Sequence, residues 1–400
     1  MKIKNLHIKE FKGLRDISIN FEKNDKPLDL VVLAGSNGSG KTRILESILD
    51  YFQKIVNHTE NKNVAGVFFE TDEQNCLNQG YDSNMLYLIL NYYNDENNVE
   101  RGRKVVEENL KVFPKIIYVP TETNFQKVEI ASPMLVREYK FLNIVDTGLI
   151  KDVPSYIATR IIEMANAQED TPMQEIRTAV FKEINEIFEI LDLDIKISGI
   201  SKNAKSIPIF TNSSGDKFDI NELSSGEKQL FLRTLAIKML NPENSIILID
   251  EPELSLHPKW QQRIVDVYRK IGKNNQIIIA THSPHILGSV KKENIMLLDK
   301  DDEGKIVVRT GDELYDSYGQ PTDRVLKDIM GLETTRNPKV FKLLEEVRKI
   351  VDRDEYNSDK FKEKYRELKG ILGSKDEDIF LIDMDIKIRK KRGLKNAESK

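Results

Sequence analysis

The stretch GSNGSGKT, residues 35–42, constrains the fold of this chain more than any other feature. A dense apolar run at residues 28–33 precedes it and predicts a central strand, and helical spacing follows it. Its glycines allow backbone N–H groups to curl around an anion, and the N-terminus of the following helix adds its dipole. The strand, loop and helix together predict an α/β domain with a phosphate-binding loop.

The pattern G-x-x-x-x-G-K-[ST] predicts a role for the positions of this phosphate loop. Lys41 would reach the β- and γ-phosphates of ATP, and the hydroxyl of Thr42 would hold Mg²⁺. An ordinary glycine-rich turn is the alternative, and the Lys-Thr pair at the required offset disfavours it. The predicted nucleotide contacts are Gly35, Ser36, Asn37, Gly38, Ser39, Gly40, Lys41, Thr42 and Arg43.

A second stretch, SIILIDEPELSLHP at 245–258, places carboxylates directly after a β-favouring apolar run. Neighbouring side chains on a strand point in different directions, so one acid can face the metal and the next the attacking water. We therefore assign Asp250 to Mg²⁺ and Glu251 to the water as a catalytic residue. An acidic turn after a core strand is the alternative. For Glu253, a solvent-facing or interface role is as well supported as a chemical one.

Two further segments stand near these motifs in the predicted α/β unit. LSSGEKQ (223–229) precedes a helix, and Ser224 or Ser225 is a natural N-cap with Glu227 or Lys228 in the first turn. IIIATHSPHIL (277–287) predicts a buried strand that ends at His282 and neighbours the acidic strand. A helix cap and a structural histidine are the simpler interpretations of the two segments.

Composition excludes several classes of protein. The single cysteine, Cys76, excludes a disulfide framework and a CxxC metal clamp, and it fits a reducing cytoplasm. No uncharged apolar run approaches ~18–20 residues, so we expect no membrane span. The net charge of −4 leaves only local basic faces, such as residues 386–400 with seven Lys and Arg. That tail is either a docking or phosphate-backbone contact or a solvated terminus.

The order phosphate loop, LSSGE, acidic strand and THS resembles the ATP-binding-cassette (ABC) ATPases, in the SMC/RecF/OLD-like branch rather than the transporters. The resemblance implies an α/β fold: an ABC-type ATPase head, which is a P-loop NTPase sheet with an antiparallel N-terminal part. A compact, mainly helical insert and a helical C-terminal extension would complete it. It also implies that two heads enclose two ATP molecules, with His282 acting in cis and Ser224, Ser225 and Gly226 contacting the nucleotide of the other head.

Other residues gain a role only through this resemblance. EFKGLRD (10–16) matches the N-terminal strand and turn of the branch, which implies that Lys12 and Arg15 approach the nucleotide; ordinary surface charges are the alternative. His257 stands where transporters keep an aspartate. Gln126 is the candidate for the family's Q-loop glutamine.

The domain organisation follows from the same resemblance. We predict the N-terminal half of the head at 1–52, an inserted lobe at 53–195 with a core strand near 115–120, the C-terminal half of the head at 196–310, and a helical extension at 311–400. Within these parts, apolar spacing predicts helices over 135–195, short antiparallel strands over 194–220, and two antiparallel helices between 336 and 372 with a break near Asn357 and Ser358. The insert is too short for the coiled-coil arms of SMC proteins. Only 15 residues follow Asp385, so we do not expect a C-terminal Toprim nuclease.

The sequence therefore predicts a cytoplasmic, Mg²⁺-dependent ATPase, and the resemblance implies that it forms a homodimer or a higher oligomer of dimers. Its arrangement resembles the ATPase subunits of bacterial anti-phage systems (Septu, retron and PARIS), which implies a separately encoded nuclease or other effector as partner. Two alternatives remain open: a RecF-like DNA-repair ATPase that binds DNA directly, and a slow-turnover scaffold of a large complex.

Overall fold

A computed structural model describes residues 1–56, 64–70, 114–121, 140–201, 207–301 and 303–398. The chain divides into two compact units, Met1–Val325 and Leu326–Lys400. The first unit includes residues 311–325, which were expected to begin the helical C-terminal extension. The first unit is a layered α/β structure and the second is helical.

The described residues form the following elements. The strands are β1 (Lys2–Phe11), β2 (Leu14–Asn20), β3 (Glu22–Lys23), β4 (Lys26–Pro27), β5 (Leu30–Gly35), β6 (Val64–Glu70), β7 (Ile116–Val119), β8 (Leu142–Ile144), β9 (Lys196–Ile200), β10 (Pro208–Thr211), β11 (Lys217–Asp219), β12 (Ile246–Asp250), β13 (Gln276–Ala280), β14 (Ile295–Lys300) and β15 (Ile306–Thr310). The α-helices are α1 (Lys41–Val56), α2 (Thr147–Ala167), α3 (Met173–Phe188), α4 (Ser225–Met239), α5 (Pro258–Gln261), α6 (Ile264–Arg269), α7 (Pro284–Leu287), α8 (Thr322–Arg324), α9 (Pro338–Asp352), α10 (Asp359–Leu372) and α11 (Glu377–Glu398). Short 3₁₀ turns span Glu189–Leu191, Lys292–Asn294 and Gly311–Glu313, and a π turn spans Val325–Ile329.

The main sheet has the strand order β15-β14-β5-β13-β12-β7-β8. All of its neighbours are parallel except β15, which runs antiparallel to β14. Every residue of β5, β12 and β13 is buried, which explains why these strands read as dense apolar runs with polar residues only at their ends, Asp250 in β12 and Gln276 in β13. The predicted central strand and the predicted pairing of the acidic strand with the His282 strand are confirmed.

The ends of these strands define two edges of the main sheet. We call the edge where β5, β12 and β13 end, at Gly35, Asp250 and Ala280, the carboxyl edge. The edge where the same strands begin is the amino edge. The register aligns Asp250 with Ala280, so the chain segments that leave β12 and β13 start side by side. In open parallel sheets the carboxyl edge is where ligands bind.

Two smaller sheets accompany the main sheet. The antiparallel order β2-β1-β6 confirms the predicted antiparallel N-terminal part, and β9, β10 and β11 form the antiparallel strands predicted at 194–220. Buried residues of β1, α1 and the main sheet share one core, including Ile8, Ile44, Phe52 and Ile278. Helix α1 is therefore fixed on both sides, and so is the loop that precedes it.

Segment 135–195 is helical in α2 and α3, as predicted, but it also contains β8, which the helical interpretation missed. This strand has three residues, and among the described strands it pairs only with β7, at the end of the main sheet. A strand of that length carries too few positions to show an alternating pattern.

The C-terminal unit consists of α9, α10 and α11 around its own core, which includes Leu344, Val347, Leu368 and Ile379. The two helices predicted between 336 and 372 are confirmed, and the side chain of Ser358 caps α10 at the predicted break. Asp383 and Asp385 lie within α11 and follow no strand among the described residues. Among the described residues, no helix is both long and apolar enough to cross a membrane.

Candidate nucleotide-binding and hydrolysis site

The phosphate loop has a backbone that only glycine can adopt at its two ends. Gly35 has φ +147°, and a Cβ there would lie 2.4 Å from the carbonyl oxygen of Leu298 and 2.7 Å from Ser39 Oγ. Gly40 has φ +98°, and its Cβ would lie 2.7 Å from Leu14 Cδ2. These contacts come from β14, from β2 and from the loop itself, so the loop is tightly enclosed where β5 ends and α1 begins.

Lys41, the first residue of α1, is buried against this loop. Its Nζ donates hydrogen bonds to the carbonyl oxygens of Gly35 (2.9 Å) and Ser36 (3.0 Å). Burial lowers the pKa of Lys41, and the carboxylates of Glu251, Glu253 and Asp250 partly oppose that shift. The ammonium therefore lies between loop carbonyls and nearby carboxylates, a position from which it can bind an anion.

Thr42 and Asp250 join the phosphate loop to the acidic strand. Thr42 Oγ1 donates a hydrogen bond of 3.0 Å to Asp250 Oδ1 across 208 residues of sequence. Asp250 is buried, and burial raises its pKa, whereas hydrogen bonds from Thr121 and Thr42 lower it. A bound cation would relieve the cost of burying this carboxylate.

The residues present fit Mg²⁺ in an incomplete site. A hydroxyl and a carboxylate are hard oxygen donors of the kind that Mg²⁺ takes, and Mg²⁺ at such sites is completed by phosphate and water oxygens. Within the described parts of the chain, no group of three or more His, Cys, Asp and Glu side chains could hold a metal. The arrangement thus suits a cation that arrives with a nucleotide.

Glu251 follows Asp250 in a strained conformation. Its φ of +45° lies in the left-handed region, which costs energy for a residue with a Cβ. The turn is held by a hydrogen bond of 2.9 Å from its N–H to the carbonyl oxygen of Ala280. Its half-buried side chain lies 3.3 Å from His282, measured from Oε1 to Nδ1. The structure therefore brings together the two residues that the sequence analysis placed on neighbouring strands.

Glu253 is buried, so of the alternatives that the sequence left open for it, the solvent-facing role does not fit. Its side chain is 5% exposed, and Oε1 accepts hydrogen bonds from Thr281 Oγ1 (2.7 Å) and the N–H of His282 (2.9 Å). Among the described residues, Oε2 has no hydrogen-bond partner. Glu253 thus fixes the backbone that carries His282. The sequence did not reveal this role because the partners lie 28 and 29 residues away.

Arg233, on α4, is a second residue that the sequence analysis missed. It is 1% exposed and donates hydrogen bonds to the carbonyl oxygens of Pro120, Thr121 and Glu251. Burial lowers its pKa, and Tyr268 and then Asp250 lead the groups that oppose this shift. Its position within the apolar run LFLRTLAI was the sequence signal that could have indicated a buried arginine. It connects α4 to the ends of β7 and β12.

The LSSGE segment forms the predicted helix cap. Ser224 caps α4, and it shares a capping box with Glu227 in which Ser224 Oγ accepts from the Glu227 N–H at 3.3 Å. Ser224 and Ser225 are exposed, whereas Gly226 is buried. A Cβ on Gly226 would lie 2.6 Å from the carbonyl oxygen of Ser255, so glycine is needed for α4 to meet the 253–258 segment.

The remaining predicted residues lie around the loop. Ser36, Asn37 and Gly38 are exposed at its tip, and Arg43 is exposed on the first turn of α1. Lys12 Nζ pairs with Glu46 Oε2 of α1 at 2.9 Å, so it lies beside the helix that carries Lys41. Arg15 is exposed, with its Nε 3.8 Å from Glu10 Oε1. Gln126 lies outside the described residues.

Phosphate loop, acidic strand end and histidine on neighbouring parallel strands define the head of a P-loop ATPase. Residues 1–166 match a family model described as "AAA ATPase domain". Residues 131–288 match a model described as "AAA domain, putative AbiEii toxin, Type IV TA system".

Similarity to whole proteins covers more of the chain than either domain model does. "Septu protein PtuA" of Bacillus thuringiensis is 27% identical, over 92% of this chain and 94% of the relative. "Retron Vc95 probable ATPase" of Vibrio cholerae is 23% identical, over 75% of this chain and 74% of the relative. Among solved structures, the SMC head domain from Thermotoga maritima has a TM-score of 0.39 and 16% identity, covering 78% of this chain and 100% of that one. The chain is therefore similar to a Septu protein over almost its whole length and to a retron probable ATPase over three quarters of it, the kinds of relative that the motifs predicted.

Proposed function

We propose that this chain binds and hydrolyses ATP at the carboxyl edge and works as a switch in which two heads close around two ATP molecules. The observation that carries the proposal is the hydrogen bond between Thr42 and Asp250. It joins the phosphate loop to the acidic strand, beside the paired Glu251 and His282. Phosphate groups, a divalent cation and a water nucleophile all need such neighbouring groups.

The chain's own residues supply positioning and charge. Lys41 and the loop N–H groups would hold the β- and γ-phosphates, and Glu251 would orient the attacking water and accept its proton. His282, fixed through the Glu253 contact to its backbone, would detect the γ-phosphate. Mg²⁺, held by Asp250 and Thr42, would supply charge neutralisation between the phosphates.

The switch would arise because each site needs a second head. Ser224 and Ser225 are exposed at the N-terminus of α4, where N–H groups and the helix dipole favour an anion. In the family that the chain resembles, this segment contacts the nucleotide of the other head. ATP would then close the pair, and hydrolysis would open it.

The relatives suggest the biological setting. Because similarity to a Septu protein covers almost the whole chain, we propose a role in anti-phage defence, in the cytoplasm, with a separately encoded nuclease as the controlled partner. DNA contact by that partner or by the chain would follow from this role.

Complementation between two inactive variants tests the composite site. Lys41→Ala disables the loop of its own head, and Ser224→Arg disables the segment offered to the other head. In co-expressed, mixed dimers one site joins the intact loop of one chain to the intact LSSGE of the other. Random pairing should restore about a quarter of wild-type hydrolysis, because half of the dimers are mixed and each has one intact site.

A matched control separates the site from simple loss of a helix cap. Ser358 caps α10 as Ser224 caps α4, so Ser358→Arg should cost a similar ~1 kcal/mol of stability while hydrolysis remains. If mixed dimers stay as inactive as the parents, or if Ser224→Arg hydrolyses ATP normally, the composite site is contradicted.

A further inference from the structure

Helix α11 has apolar residues on two opposite faces. Ile379 and Ile382 are buried in the core of the C-terminal unit. On the other side lies an outer stripe, which we define as Phe380, Leu381, Met384 and Ile388, with exposed fractions of 63%, 48%, 48% and 39%. A surface helix normally keeps such residues on one face, and exposed apolar patches commonly mark contacts with other molecules.

Two charges of opposite sign flank the outer stripe at equal distances in sequence from Met384. Along one face the order is Glu377, Phe380, Met384, Ile388 and Lys391, with spacings of three, four, four and three residues. These spacings keep all five on the same side of a helix. The face therefore begins with an exposed acid and ends with an exposed base, each seven residues from Met384.

We propose that α11 pairs antiparallel with α11 of a second copy of this chain, with the two-fold axis at Met384. Phe380 of each copy would pack against Ile388 of the other, and Glu377 would face Lys391 of the other. A parallel pair would place Glu377 beside Glu377 and Lys391 beside Lys391, so the charges favour the antiparallel arrangement. Such a contact is isologous and closes as a dimer.

This contact needs no nucleotide. The role of this contact in the cycle rests on the proposed ATP switch. The α11 pair would keep two chains together while their heads are open. The heads would then meet at an effective concentration set by the tether rather than by diffusion of free chains.

Cysteine cross-linking in the full chain tests the geometry without ATP. Cys76 is the single cysteine, so Cys76→Ser provides the background. Met384→Cys should form disulfide-linked dimers with itself. Phe380→Cys alone or Ile388→Cys alone should not, since like positions would lie about 12 Å apart along the axis. A mixture of Phe380→Cys and Ile388→Cys chains should cross-link.

Ile371→Cys controls for random collision. Ile371 is 55% exposed on α10, outside the outer stripe. The Ile371→Cys chain should therefore stay monomeric under the same oxidation. Self-cross-linking at 380, 384 and 388 alike would indicate a parallel or random contact and would overturn the proposal.

Mass measurements give an independent readout. The nucleotide-free chain should be a dimer by light scattering, and Met384→Lys should weaken its dimer Kd by about 30-fold or more, as at an interface hot spot. Glu377→Lys and Lys391→Glu should each weaken Kd by about 3-fold, and the double variant should recover. Ile371→Lys should leave Kd unchanged. A monomeric wild-type chain, including one whose stripe serves a different protein, would overturn the proposal.

The two proposals fail separately. Lys41→Ala should still cross-link through Met384→Cys, because the α11 pair does not use ATP. If cross-linking fails while complementation succeeds, only the proposed α11 pair is contradicted. If cross-linking succeeds while complementation fails, only the proposed composite ATP site is contradicted.

Discussion

Both edges of the main sheet bury polar groups, but the hydrogen bonding of these groups differs between the two edges. At the amino edge, the side-chain amide of Gln276 accepts from the Ile3 N–H at 2.7 Å and donates to the carbonyl oxygens of Ile3 and Leu28 at 2.9 and 3.0 Å. At the carboxyl edge, Ser39 Oγ and Glu253 Oε2 are buried without a hydrogen-bond partner among the described residues. The carboxyl edge also contains the strained Glu251.

This difference separates stability from function. The amino edge uses mostly neutral groups whose hydrogen bonds are made within the fold, so its contribution is to hold the layers together. The carboxyl edge concentrates buried charges, incomplete hydrogen bonding and backbone strain, which a fold maintains only where surrounding structure holds them and where chemistry needs them. Three tests by substitution, in order of effect, can break or sharpen the comparison.

Arg233→Met should have the largest effect, because it removes the buried cation that connects α4 to the carboxyl edge. The free energy of unfolding in urea should fall by about 3–5 kcal/mol, and hydrolysis per folded molecule should fall as well. Lysine cannot replace the planar guanidinium that reaches three carbonyl oxygens, so Arg233→Lys should recover little. The half-buried Arg263, which donates to the Ile190 carbonyl oxygen at 2.9 Å, is the control. If Arg233→Met matched Arg263→Met in both stability and rate, the two edges would not differ as described.

Lys115, at the amino edge, should make stability depend on pH without affecting the ATPase chemistry. Burial lowers its pKa from 10.5 to about 8, with Glu243 opposing the shift. Below pH 8 both folded and unfolded states hold the proton, and the folded state is destabilised. Between pH 8 and 10.5 only the unfolded state retains it, so stability rises with pH by up to about 3 kcal/mol.

Lys115→Met should remove this rise, as measured by urea unfolding at pH 7 and pH 10. The same substitution at the exposed Lys9 serves as the control. A wild-type difference between the two pH values that Lys115→Met leaves intact would contradict the assignment.

Two buried hydroxyls give a matched pair with smaller effects. Ser245 Oγ accepts from the Lys115 N–H and donates to the Glu243 carbonyl oxygen at the amino edge. Thr281 Oγ1 accepts from the Ser283 N–H and donates to Glu253 at the carboxyl edge. Ser245→Ala and Thr281→Val should each cost about 1–3 kcal/mol of stability. Only Thr281→Val should lower kcat, about tenfold, because Glu253 and His282 would lose their fixed position. Equal kcat values for both variants would refute a functional difference between the edges.

Local patterns predicted much of the fold. The phosphate loop, the apolar runs of β5, β12 and β13, and the cap at Ser224 are each encoded within about ten residues, so the sequence shows them directly. The neighbouring positions of Asp250 and His282 followed from the α/β alternation. These parts of the prediction rest on short segments whose structure the chain dictates by itself.

What could not be predicted depends on long-range contacts. The burial of Glu253 depends on Thr281, and the function of Arg233 depends on carbonyl groups more than 100 residues earlier, at Pro120 and Thr121. A carboxylate or guanidinium in the sequence looks the same whether it becomes solvated or enclosed. Lys12 illustrates the same limit, since only the fold shows its pairing with Glu46.

The most direct test of the central claim is phosphate release by wild type and Glu251→Gln, together with their ATP affinity. The amide keeps the size of Glu251 but cannot accept a proton, so binding should change by less than about 3-fold while kcat falls by about 10²–10³-fold. That result would establish the carboxyl edge as the site of hydrolysis. Unchanged phosphate release by Glu251→Gln would contradict it.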